Sequence, residues 1–172
     1  RRDRLVQNST GRVRADLKED LAKIALIPRQ GGRAGMGLVS GFGARIGAIA
    51  SSLAHETHSL MVVGFNDKDM ALAVNQVIKM NGGIVTVKEG KILTRLSLPI
   101  GGIMSTLKVP RLAGELERIA NCLRDLGCTL EDPLWTLGFL SFTSLIELRI
   151  TFSGVYEVKT GKILYNGFGI RR

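Results

Sequence analysis

Apolar positions in this chain fall in short runs whose period changes along its length. Residues 23–27, 46–53 and 59–64 read as buried strands, the first stopping at Pro28 and the second built of small residues. Residues 37–41 read as another strand, fed by a wide glycine-rich turn. The period then becomes helical. Asn66 is a good N-cap, Asp67 and Asp69 suit a first turn, and Met70, Val74, Val77 and Ile78 form one stripe that Asn81-Gly82-Gly83 stops. Residues 84–88 and 91–98 predict a β-hairpin around Glu89-Gly90, ended by Pro99 and an irregular apolar turn. A second helix starts at Pro110, with Leu112, Leu116, Ile119, Leu123 and Leu126 on one face and Gly127 as its stop. Residues 134–142 are apolar on both parities, which leaves buried strand and short buried helix open. Residues 147–152 and 155–158 read as strands meeting at Ser153-Gly154. The fold class is α+β: a largely antiparallel or mixed sheet with two principal helices, about 67–81 and 110–126, in a single domain over residues 16–168.

Length and composition agree with that reading. A chain of 172 residues, 45% hydrophobic and 23% charged, can bury a core of its own. No apolar run approaches the roughly 18–20 residues of a membrane span, and the Arg-rich start with no apolar stretch behind it does not read as a secretory signal. The net charge of +9 is unevenly placed: residues 1–15 carry +4, Arg171 and Arg172 add +2, and only +3 remains between them. Residues 1–15 therefore read as a flexible basic arm and residues 169–172 as a basic tail. With aromatics at 5%, nucleic acid is not the expected partner. Cys122 and Cys128 fit reduced thiols of a cytoplasmic protein, and their spacing matches neither C-x-x-C nor a zinc pattern.

Candidate chemistry concentrates in residues 47–67. Ser51, Ser52, His55, Glu56, Thr57 and His58 lie between two apolar runs, and both histidines of the chain are among them. On a helix His55 and His58 would share a face and could grip one metal; on a strand they would point opposite ways. The segment H-E-x-H is one residue short of the zinc-protease pattern. Two histidines and Glu56 make at most three ligands, so His55 and His58 are expected to serve a metal site only if another domain or subunit completes it; otherwise they shape a loop. Six glycines within residues 30–43 invite a phosphate-loop reading. Their spacing is one residue too long for the dinucleotide fingerprint, and no G-K-[ST] follows. Ser105–Lys108 reads S-x-x-K and residues 159–161 read K-T-G, as in serine acyl-transferring enzymes, but Pro110 crowds the helix that Ser105 would have to open. Residues 159–161 make a turn before 162–165.

Three longer stretches carry more: GLVSGFGARIGAIASSLAHETHSLMVVGFNDKDMALAVNQVI, LPIGGIMS and CTLEDPLWTLGFLSF. Together, over roughly residues 20–160, they resemble the C-terminal domain of adenine deaminase. The resemblance implies a prokaryotic purine-salvage enzyme of the amidohydrolase superfamily that converts adenine and water to hypoxanthine and ammonia in the cytoplasm. It implies a preceding (β/α)-barrel domain holding the catalytic carboxylates, the histidines and a divalent metal (manganese, iron or zinc), which lowers the pKa of a bound water. The family's SSxAH-acid-x-H segment corresponds to Ser51, Ser52, Ala54, His55, Glu56 and His58. There the acid is usually Asp and Asn follows the second histidine; here Glu56 and Ser59 stand. The family's histidine near the glycine-rich turn is replaced by Pro28-Arg29-Gln30-Gly31. The implied partners are the barrel domain and adenine, with no membrane and with homo-oligomerisation left open. The active-site-facing candidates are Ser51, Ser52, His55, Glu56 and His58, and no catalytic set is complete in this chain. A stand-alone binding or assembly module that kept the fold is the competing expectation, and a Ser-Lys hydrolase a distant third.

Overall fold

Antiparallel pairing organises the chain from its first strand. The computed structural model describes residues 15–165, without the side chain of residue 165, so the arm and tail expected at the two ends lie, but for Ala15, outside the described residues. Strands β1 (Leu21–Ile27), β2 (Gly35–Ser40), β3 (Ala48–Ser51), β4 (Leu60–Gly64), β5 (Gly83–Lys88) and β6 (Lys91–Ser97) form one sheet in the order β2-β1-β4-β3-β5-β6. Every neighbouring pair in it is antiparallel. Helix α1 (Asp67–Lys79) covers one face, packing Met70, Ala73 and Val77 on Val62, Val85 and Val87. Helices α2 (Val109–Asp125) and α3 (Pro133–Phe139) cover the other, where Ile119, Leu123 and Leu137 join the core of Ile49, Met61, Val63 and Ile84. Strands β3 and β4 are buried at every residue, which is why their sequences lack polar alternation.

Local signals set the element ends. Asn66 caps α1 by accepting from the backbone N–H groups of Lys68 (2.9 Å) and Asp69 (3.2 Å). Pro110 lies in the first turn of α2, and Cys128 N–H donates to Leu123 O (2.9 Å) beyond its end. The ambiguous apolar run after Pro133 is helical. Asp132 caps it by accepting from Trp135 N–H (2.9 Å), and because Leu137 is buried while the equally apolar Trp135 is exposed, a helix of seven residues shows no helical period. Strands β7 (Leu148–Thr151), β8 (Gly154–Glu157) and β9 (Lys162–Tyr165) form a second antiparallel sheet in that order. It lies against β2, where Gly35 meets the Thr151 carbonyl and Gly37 meets the Val155 side chain so closely that neither position has room for a Cβ. Those two glycines of the rich stretch therefore serve sheet-on-sheet contact, and a strand rather than a helix follows the turn.

The register decides which loops meet. Ile27 pairs with Leu60, Leu26 with Gly35, Ser51 with Ile84 and Gly83 with Ser97. One end of the sheet therefore gathers the 28–34 turn, the 52–59 loop, the 80–82 turn and the 98–104 turn. At the opposite end Asp69 of α1, nearly inaccessible to solvent, accepts from Glu89 N–H (3.0 Å) and Gly90 N–H (2.8 Å) of the β5–β6 turn. Asp69→Ala leaves both donors without that acceptor, and the urea midpoint is expected to fall by the equivalent of about 2 kcal/mol with an unchanged slope.

Candidate functional site

The 52–59 loop leaves β3 at Ser51, whose Oγ accepts from Leu53 N–H (3.0 Å). Ser52 is buried and ties three segments together. Its Oγ accepts from Gly83 N–H (2.8 Å) and donates to the Gly102 carbonyl, while its own N–H donates to Gly83 O (3.0 Å). Arg29 adds a further tie, its guanidinium donating to Gly101 O (2.7 Å), so the glycine-rich turn and the 98–104 turn are bound to each other. Both serines thus fix the base of the loop; buried hydroxyls need such partners.

His55, Glu56 and Thr57 form a tight turn closed by His58 N–H donating to Ala54 O (2.7 Å). This is neither the helix nor the strand on which the two histidines could be compared by spacing. His55 is held on both sides of its backbone, its N–H donating to Gly138 O (2.9 Å) and its carbonyl accepting from Ser141 Oγ (2.9 Å). Its ring lies against Phe139 (centroids 4.6 Å apart) and edge-on to Trp135 (5.6 Å), in a cluster that Phe142 extends. A Cβ at Gly138 would stand 2.9 Å from the ring's Cδ2 and 3.1 Å from its Nε2, so that edge of the imidazole is turned onto α3. Glu56, at φ +77°, sends its carboxylate to Thr143, accepting from the backbone N–H (2.5 Å) and from Oγ1 (2.7 Å). His58, at φ +46°, is exposed, and no hydrogen bond to its imidazole is found among the described residues.

The five candidates therefore share one loop but divide its work. Ser51 and Ser52 anchor it, Glu56 clamps it to the segment after α3, His55 packs its ring against α3, and His58 is the exposed imidazole of the two. No three His, Cys, Asp or Glu side chains come together to hold a metal ion among the described residues. With at most His55, Glu56 and His58 to offer and the Glu56 carboxylate turned to Thr143, these residues do not fit a metal site built by this chain alone. The side chains around the loop, namely Trp135, Phe139, Ser141 and Thr143, come from a part of the sequence about 80 residues away; the apolar run 134–142 and the stretch CTLEDPLWTLGFLSF signalled the first three, and nothing signalled Thr143.

Other candidate chemistry stays apart from this loop. Ser105 Oγ accepts from Leu107 N–H (3.1 Å) ahead of α2 rather than opening it, and Lys159 pairs with Glu147 (3.6 Å) in the β8–β9 turn. Burial pushes the Cys122 thiol up, with Asp125 adding to it, and burial pushes Cys128 up as well, so neither is a thiolate nucleophile at neutral pH. An open groove of about 570 Å³ between β6 and α2 is lined by Leu93, Thr94, Arg118 and Cys122 among others, and none of the loop residues reaches it.

Comparison with known proteins places this loop in a family. The family model described as the adenine deaminase C-terminal domain matches residues 1–162. An adenine deaminase of Moorella thermoacetica is 42% identical over 156 residues, which cover 90% of this chain and 26% of the relative. One from Dehalococcoides mccartyi is 39% identical over 166 residues (95% and 29%), and one from Methylobacterium nodulans 42% over 158 (91% and 28%). The chain thus spans between a quarter and a third of the length of these relatives.

Because Ser52 joins β5, the loop and the 98–104 turn, Ser52→Ala is expected to lower stability by about 1–2 kcal/mol. Hydrogen exchange should speed up at Gly83 and through residues 99–104; a change confined to one of the two would show that the hydroxyl does not link them.

Proposed function

The chain belongs to the adenine deaminase C-terminal domain family, and we propose that its 52–59 loop is the face turned toward the catalytic part of such an enzyme. That part is taken to be a preceding amidohydrolase-type barrel carrying the divalent metal, manganese, iron or zinc. The reaction of the whole is then hydrolysis of adenine to hypoxanthine and ammonia, in cytoplasmic purine salvage. A metal in the barrel would supply an acidified water. This chain's own residues shape and close the mouth, excluding bulk water from it.

The observation that carries this reading is the state of His58. Neighbouring segments hold the loop at three of its residues: Gly83 and Gly102 at Ser52, Gly138 at His55, and Thr143 at Glu56. Two non-glycine residues are kept at positive φ within it, and the imidazole so presented has no partner among the described residues. A rigidly built loop that ends in an unengaged imidazole suits a group waiting for an external partner, whether substrate, water or a metal ligand set completed elsewhere. His55 acts as a positioning residue for it. The family's Asp-to-Glu departure fits the same scheme, since the longer side chain of Glu56 spans to Thr143.

Two measurements test this. In the protein joined to its catalytic domain, His58→Ala is expected to lower kcat/KM for adenine by about tenfold to a hundredfold with the melting temperature unchanged. His55→Ala should lower both, because it removes part of the ring cluster. Unaltered turnover and metal content in His58→Ala would reduce the loop to architecture. The 172-residue chain alone is expected to release no ammonia from adenine, and sustained release by it would overturn the division of labour.

A further inference from the structure

Three exposed apolar side chains surround the loop that carries His58. Trp135 is 61% exposed although its ring touches His55 and Phe139. Ile100 and Met104, 46% and 54% exposed, sit on the 98–104 turn that Ser52 binds through Gly102. The loop is thus flanked on its Ser52 side by Ile100 and Met104 and on its His55 side by Trp135. Large apolar side chains gathered at one end of a sheet, around a polar centre, have the composition of a protein interface, where tryptophan is the commonest anchor.

We propose that this end of the sheet is the docking surface for the catalytic domain, with Trp135, Ile100 and Met104 forming an apolar seal around His58. The proposal rests on the function inferred above and names the surface that function needs. The partner it fits is a protein face with an apolar rim around a polar mouth. One fact favours that occupant over a second copy of the chain. The relatives are more than three times as long as the matched region, so most of their mass lies outside it.

Hydrogen exchange on the 172-residue chain and on the same sequence carrying its catalytic domain tests the surface. Residues 99–104 and 134–139 are expected to be protected at least tenfold more in the longer protein, while the groove between β6 and α2 is unchanged. Trp135→Asp should abolish the added protection with each domain still folded, and Trp135→Phe should keep most of it. Equal protection in both proteins overturns the proposal. So does a chain that sediments as a dimer with Trp135, its single tryptophan, already shielded, since a second copy would then be the occupant. His58→Ala separates this inference from the functional one. Added protection that survives in His58→Ala, together with undiminished adenine turnover, would leave the interface standing and remove the role assigned to the imidazole.

Discussion

The register of β3 between β4 and β5 is the constraint on which the rest depends. Ala48, Ile49, Ala50 and Ser51 pair with residues 64 to 61 of β4 and, on the other side, with residues 87 to 84 of β5. Helices cover both faces, so Ile49 must face α2 and α3 while Ala48 and Ala50 face α1. A slip of one residue would exchange these sets and drive isoleucine into the space sized for alanine. The same pairing places Ser51 at the end of an interior strand and delivers Ser52 to Gly83 and Gly102. The geometry of the polar loop is therefore set by apolar packing several residues earlier.

Much of this architecture was legible in the sequence because it rests on local chemistry. Asn66 with Asp67 and Asp69 marks a helix start, Asn81-Gly82-Gly83 its stop, and Glu89-Gly90 a hairpin whose two turn residues both adopt positive φ. The turn at 159–161 follows from composition in the same way. Where tertiary contact decides, sequence alone was silent. Residues 133–139 carry apolar side chains on nearly every position, so the hydrophobic period could not separate helix from strand; the cap by Asp132 ahead of Pro133 is the one local mark of the helix, and burial of Leu137 in the core holds it. The closeness of Gly35 to Thr151 joins positions over a hundred residues apart.

The candidate site shows the same division. The concentration of Ser51, Ser52, His55, Glu56 and His58 between apolar runs identified the loop, and the family resemblance gave it a context. Spacing could not sort their roles, because both the helical and the extended alternatives presumed regular backbone, and the loop is a turn. What distinguishes His55 from His58 lies on α3 and beyond: rings at 135, 139 and 142, the absent side chain at Gly138, and the hydroxyls of Ser141 and Thr143. The contact between Glu56 and Thr143 bridges 87 positions, a distance over which no pattern in a single sequence speaks.

Glu56 and His58 both hold left-handed backbone without being glycine, a conformation that costs about 1–3 kcal/mol where contacts do not compensate it. That narrows what either codon can become. Valine, isoleucine or threonine at these sites would clash with their own main chain, whereas glycine, asparagine and aspartate would be admitted readily. Mutational drift in the loop is thereby channelled toward small or amide-bearing replacements, which keep its shape while shedding its imidazole. A replacement of His58 by one of these residues would thus remove the imidazole and leave the turn standing.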